Sequence, residues 1–159
     1  MEALGNGVIV KPTAGSMERI LLNQVDSRPE AGDRRGVWTP EYPNPHPFLT
    51  DPIVREAMWM ALDPTLIATQ FYGAAGSPTC NVLMAPASAY SPNNDDCLVQ
   101  DLEGAAALLE ENGWVDSNGD GVREKDGVEL RVLYQTSTNA VRQKTQALVQ
   151  QWWGEIGIA

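Results

Sequence analysis

An α/β fold is predicted by three features of this sequence. Two proline-led helices follow one another after Asp51 and Asp63, a capped helix runs on from Asp101, and an alternating strand over 128–135 is succeeded by a further helix. The chain has 159 residues, 43% of them apolar and 20% charged, with 14 glycines and 11 prolines, which is the profile of one ordinary soluble domain. A chain of this length buries about two-thirds of its unfolded surface and needs no dense disulfide framework.

Taken in order, residues 18–25 (ERILLNQV) group Ile20, Leu21, Leu22 and Val25 as a short apolar run, expected as a strand buried on both faces. Residues 26–47 carry five prolines and several charges and are expected to be a long exposed loop. Asp51-Pro52 and Asp63-Pro64 each set a side-chain acceptor at the N-cap and a proline at the first helical position, where a missing N–H costs nothing. They predict helices over 52–62, with Val54, Ala57, Met58 and Ala61 buried, and over 64–72, ended by Gly73 and Gly76.

Residues 77–100 form a Pro-rich loop broken by Pro78, Pro86 and Pro92. Cys80 and Cys97 stand at its two ends, and both a bridge and two buried thiols fit that placement. A bridge would add about 3 kcal/mol and imply an oxidising compartment. Asp101 then caps a helix with Leu102, Ala105, Ala106 and Leu109 on its apolar stripe, Gly113 as its left-handed stop and Trp114 as the apolar follower. Val128, Leu130, Val132 and Tyr134 share one face of the strand. Asn139 starts the last helix, with Val141, Leu148, Trp152 and Ile156 along its stripe and Gly157 near its end.

Charge excludes one class of partner. Eleven Lys+Arg against 21 Asp+Glu give −10, a field that repels a phosphate backbone, so nucleic acid is not expected. No apolar run reaches the roughly 18–20 residues that cross a bilayer, and the opening MEALGNGVIVKP lacks the basic start and apolar centre of an export signal. An enzyme is not expected either. The single histidine, His46, lies between Pro45 and Pro47 in what composition reads as an exposed turn, and no nucleophile–base pair or phosphate-cradling loop accompanies it.

The most distinctive stretch runs from Asp116 to Asp126. Oxygen side chains at Asp116, Asn118 and Asp120, Gly121 after the third, and a carbonyl from Val122 follow the spacing with which an EF-hand-type loop wraps calcium. The twelfth position, a glutamate in that pattern, is Gly127, and Asp126 precedes it. Two readings stand: a structural calcium held by Asp116, Asn118, Asp120, Val122 and Asp126, or a polar turn between helix and strand. Among the aromatics, Trp59, Trp114, Trp152 and Trp153 are expected in the core. Trp38, Tyr42, Phe71, Tyr72 and Tyr90 lie in or near loops, where they could pack inward or line a cleft.

SMERILLN, HPFLTDPIVREAMWMALDPTLIATQFYG, a Pro-rich linker, DLEGAAALLEENGWVDSNGDGVREKDG and VELRVLYQTSTNAVRQKTQALVQQWWGEIGI, in that order over roughly residues 16–159, resemble the extracytoplasmic solute-binding proteins of peptide ABC importers. That family takes up oligopeptides, dipeptides and, in some members, nickel. The arginine usual after the aspartate of the second element is here Pro64, a departure that leaves the fold untouched. The resemblance implies a partial lobe of a type II periplasmic-binding-protein (venus-flytrap) fold, residues 1–159 being a single truncated domain from the second lobe.

It further implies capture of peptide between two lobes, delivery to a permease, and a periplasmic or extracellular location, with any lipid anchor belonging to the parent protein. No functional cofactor is implied. Export favours a Cys80–Cys97 disulfide and suits a structural calcium. The acidic residue with which the family anchors a peptide's amino terminus has no counterpart here, so no ligand contact is carried over. Strand edges left open by a half-built sheet would favour self-association. The rival expectation is a calcium-stabilised adhesion or interaction module in which the acidic loop is the working part.

Overall fold

The computed structural model describes residues 17–41, 43–83 and 85–159, which form two compact units. Of the features expected above, Tyr42, Ser16 and the opening twelve residues lie outside the described residues. The larger unit joins Ile20–Leu62 to Val99–Ala159, and the smaller contains Asp63–Leu98.

In the larger unit, α1 (Pro52–Met60) begins where Asp51 Oδ1 accepts the Ile53 N–H at 2.9 Å. Helix α2 (Pro64–Ile67) belongs to the smaller unit. Helix α3 (Leu102–Glu111) begins where Asp101 Oδ1 accepts the Gly104 N–H at 2.7 Å, and the Asn139 side chain takes two N–H groups at the start of α4 (Ala140–Glu155). Helices α1 and α3 pack together through Val54, Ala57, Met58, Ala105 and Leu109. Helix α4 joins them through Trp153, whose indole N–H donates to the Met58 carbonyl at 2.9 Å. Its buried stripe is Val149, Trp152, Trp153 and Ile156, so Val149 rather than the half-buried Leu148 faces the core. Trp114 and Trp152 are buried as expected, but Trp59 points outward at 41% exposure, because Ala57 and Met58 already fill the face that α1 turns to α3.

Strand structure is sparser than expected. Glu124–Lys125 (β1) and Val128–Glu129 (β2) pair as a two-residue antiparallel hairpin. Residues 130–134 keep the predicted alternation, Leu130 buried and Leu133 82% exposed; the Leu130 N–H still donates to Arg123 O at 2.8 Å, and beyond it the hairpin pairing ends. The segment also pairs on its other edge: Ala159 N–H donates to Leu130 O at 2.9 Å and Val132 N–H to Ala159 O at 2.7 Å, the bonding pattern of parallel strands. Residues 130–132 and Ala159, joined through α4, thus make one parallel-type contact, which is as much of the α/β expectation as the described residues carry. Residues 18–25 are not the buried strand expected. Only Val25 forms a bridge, with Pro45, and Leu21 is 77% exposed. An apolar run fixes a strand only where a neighbouring strand offers partners for its N–H and C=O groups.

His46 also departs from expectation: it is buried, at the mouth of a segment that is otherwise mostly exposed. No helix among the described residues is long and apolar enough to cross a membrane.

The ends of α3 and α4 are held by the hairpin. Arg123 Nη1 donates to Trp114 O at 2.8 Å and Nε to Ile156 O at 3.1 Å, while the Arg123 N–H meets Gly157 O at 2.8 Å. Gly157 has φ +81°, and a Cβ there would lie 2.6 Å from Arg123 Cγ, so the close approach needs glycine. Lys125 Nζ donates to Asn112 O at 2.8 Å and stands 5.8 Å from the Trp114 ring centroid. Each cation meets carbonyls at the negative end of a helix.

In the smaller unit, Asp63 Oδ1 accepts the Leu66 N–H at 2.7 Å and starts α2, which widens into a π-turn over Ala68–Tyr72. The predicted single helix over 64–72 is therefore a short α-turn followed by a looser one, ending at Gly73.

Arg123→Met, which keeps the aliphatic stem and removes the donors, is expected to lower the unfolding free energy by about 2–3 kcal/mol, since loss of the charged donors leaves carbonyls unpaired. Lys125→Met should cost about 1 kcal/mol. Urea titration checks both, with an unchanged slope.

Candidate functional site

Three places in the chain collect polar or chemically distinctive groups, and local geometry decides what each can do. The acidic loop is the first. Asp116 Oδ1 accepts the N–H groups of Gly119 at 2.7 Å and Asp120 at 3.1 Å, and its Oδ2 accepts that of Gly121 at 2.9 Å. Asn118 Oδ1 takes the Asp120 N–H at 2.8 Å, and Asp120 Oδ1 takes that of Val122 at 2.8 Å. The second Asp120 oxygen faces Arg131 at 3.3 Å. These oxygens fold the loop upon itself by Asx-type turns.

Asp126 is not gathered with them. It has φ +52°, and with Gly127 at φ +78° it forms the two-residue turn between β1 and β2. The Val122 side chain is buried beneath the loop. Among the described residues no three His, Cys, Asp or Glu side chains converge as metal ligands, so the expected structural calcium finds no support there. The oxygens of Asp116, Asn118 and Asp120 are engaged by backbone N–H groups, and these bonds close the loop without a cation. The Asp-Gly dipeptide between short β segments is the sequence signal for this hairpin, and reading Asp126 as a closing ligand obscures it.

The second place is the Pro-rich segment. Cys80 and Cys97 are joined in a disulfide, their Cα atoms 6.1 Å apart. Inside that closure Asp95 is the common acceptor: Oδ1 takes Thr79 Oγ1–H at 3.1 Å, Cys80 N–H at 3.0 Å and Asn81 Nδ2–H at 3.2 Å, and Oδ2 takes Tyr90 O–H at 2.7 Å. Asn81, only 4% exposed, adds Ser91 N–H and Asn94 Nδ2–H to its own Oδ1 at 2.9 and 2.8 Å. The Cys80 N–H first, and then the Tyr90 hydroxyl, hold the Asp95 carboxyl below the usual carboxylate range, and Asp95 in turn pushes the Tyr90 phenol up. Tyr90 is thus engaged inside this network. Trp38, by contrast, is exposed in the larger unit, and Phe71 and Tyr72 are half-buried.

The third place is an open depression of about 230 Å³ in the larger unit. Val132, Tyr134, Trp153 and Ile158 supply its apolar lining, and Gln146 and Gln150 its amides. The Tyr134 and Trp153 rings stand 5.9 Å apart, and Gln146 Nε2 donates to the Tyr134 carbonyl at 2.6 Å. A depression smaller than the roughly 300–1,000 Å³ of ordinary ligand sites does not by itself enclose a ligand. None of the three places pairs a nucleophile with a base.

Residues 4–159 match the family described as bacterial extracellular solute-binding proteins, family 5 Middle. The oligopeptide-binding protein OppA of Lactococcus lactis subsp. lactis (strain IL1403) is 34% identical over 108 residues, covering 65% of this chain and 18% of the relative. AppA of Bacillus subtilis (strain 168) is 32% identical over 111 residues, covering 68% and 20%.

Among solved structures, lactococcal OppA with an endogenous peptide in the closed conformation gives a TM-score of 0.60 at 30% identity, over 70% of this chain and 21% of that one. Bacillus subtilis AppA in complex with a nonapeptide gives 0.61 at 31%, over 69% and 22%. The oligopeptide-binding protein of Thermus thermophilus with a pentapeptide gives 0.60 at 31%, over 70% and 19%. The chain spans about a fifth of the length of the curated relatives it matches.

Three outcomes are expected. Calcium at about 1 mM or a chelator should leave the melting temperature of the chain unchanged, whereas Asp116→Ala should cost about 1–2 kcal/mol by orphaning N–H groups, measured by denaturant unfolding. Because Asp95 has a depressed folded value, its contribution is fully present above the unfolded value near 3.9 and is lost as pH falls through the folded one. Acid unfolding of wild type and Asp95→Asn should therefore converge below that value and diverge above it.

Proposed function

The chain belongs to the bacterial extracellular solute-binding proteins of family 5, and from that premise we propose that it is part of the substrate-binding subunit of an ABC importer, which captures peptides outside the cytoplasmic membrane and delivers them to a permease. The observation that carries this reading is the likeness of some 70% of the chain to solved oligopeptide-binding proteins that hold peptide. The reading makes the chain part of the second lobe of a venus-flytrap fold, in which ligand is enclosed when two lobes close by a hinge.

Several features support it. The Cys80–Cys97 bridge suits an oxidising compartment outside the cytoplasm. Peptide affinity in such a fold comes from shape and polar contacts, which needs no nucleophile–base pair. The open depression and the exposed Leu133 are surfaces that further parts of a lobe would cover, and in a chain standing alone they favour self-association. The self-satisfied acidic loop gives no support to an adhesion module that works through calcium.

The test is a thermal-shift measurement on the full-length parent protein with a pentapeptide and a nonapeptide. Either should raise its melting temperature, by roughly 2.7 kcal/mol of added stability at a hundredfold excess over Kd. Calorimetry on residues 1–159 alone should give no peptide heat, because one wall of a cleft encloses nothing. Failure of every peptide to stabilise the parent protein would overturn the reading.

A further inference from the structure

His46 lies at the mouth of the segment between Asp26 and Asn44. Two backbone bonds close that mouth around the Val25–Pro45 bridge: Asp26 N–H to Asn44 O at 2.9 Å, and His46 N–H to Gln24 O at 2.8 Å. Further bonds gather the segment behind it, with Gly36 N–H donating to Asp26 O at 2.6 Å and Asn44 Nδ2 donating to Arg34 O at 2.7 Å. On its other side the imidazole holds the turn that leads into α1. Nδ1 accepts the Leu49 N–H at 3.1 Å and the Phe48 N–H at 3.4 Å, and the ring stands edge-on to Phe48 with centroids 4.5 Å apart.

Nδ1 is therefore an acceptor, and the neutral ring carries its proton on Nε2. A second proton has to go to Nδ1, into the position where both N–H groups point. The imidazolium cannot keep this turn.

We propose that His46 is a pH-sensitive latch: the neutral ring holds the turn into α1 and, through the position this gives the His46 backbone, the mouth of the Asp26–Asn44 segment, and the protonated ring releases both. Two charged groups act on it from the segment itself. Arg28 opposes protonation and Asp26 favours it, and the two are paired with each other at 3.0 Å. On the α1 side, Asp51 is engaged with the Ile53 N–H and the Trp114 indole, and Arg55 Nη1 with Leu49 O at 3.0 Å. Burial is the largest influence and holds the ring below the usual histidine range, with Arg28 adding to it. The neutral ring's contribution is thus fully present above the unfolded value near 6.5 and is lost as pH falls through the lower folded value. Between the two values the open population grows about tenfold per pH unit.

Amide hydrogen exchange of the 159-residue chain, followed by NMR from about pH 7.5 to about pH 5.5 and normalised to intrinsic rates, tests the latch. Protection at the Asp26, His46, Phe48 and Leu49 amides should fall as pH drops below about 6.5, by at most about tenfold per unit, while the Ala105 amide of α3 holds. His46→Asn, whose Oδ1 can accept in place of Nδ1 without titrating in this range, should abolish the slope, and Asp26→Asn should leave it. A flat wild-type profile, equal loss at Ala105, or the same slope in His46→Asn would overturn the proposal. Should His46→Asn fail to fold, the wild-type profile against Ala105 still decides. The outcome is independent of which ligand, if any, the parent protein binds.

Discussion

The last carbonyls of a helix need partners, and in the larger unit that requirement falls on one short hairpin. Arg123 and Lys125 are alternate residues beside or within β1, so they leave the backbone on the same side. One meets the carbonyls that follow α4 and the other the carbonyl that follows α3. Two helices distant in sequence are thereby fixed to a common element, and Trp114 is trapped between the Lys125 ammonium and the Phe48 ring. The tight hairpin turn matters because it sets the level of both cations relative to the two helix ends. Val122 and Leu130, buried on the hairpin's flanks, anchor it to the core.

What could be read from the sequence was what is decided within a few residues. The starts of α1, α2, α3 and α4 were legible because each depends on a side chain bonding to a backbone N–H two or three residues on. The stop at Gly113 and the burial of Trp114 were legible for the same reason. Residues 18–25 were not, because a strand is completed by a neighbour remote in sequence. Nor was the burial of His46: its proline-flanked setting reads as solvent-exposed, and only the return of Gln24 and the turn at Phe48–Leu49 enclose it.

The candidate site divides along the same line. Asp116, Asn118 and Asp120 carry oxygens at regular spacing, but spacing alone does not say which groups those oxygens engage. Here the N–H groups of Gly119, Asp120, Gly121 and Val122 take them, which makes the loop a rigid joint between α3 and the hairpin. The pairing of Cys80 with Cys97 was one of two readings until the family resemblance favoured export. The hub at Asp95 was invisible, since Thr79, Cys80 and Asn81 reach it across the whole segment.

Asp51 shows how one atom pair can narrow what evolution is able to try. One of its oxygens begins α1, and the other accepts the Trp114 indole N–H at 3.2 Å, a residue 63 positions away. Serine and threonine cap helices well but have a single side-chain oxygen, so either would leave one of those two donors stranded. Substitution there is filtered by a tryptophan on the far side of the Pro-rich segment, and a change at either position would have to be matched by a change at the other.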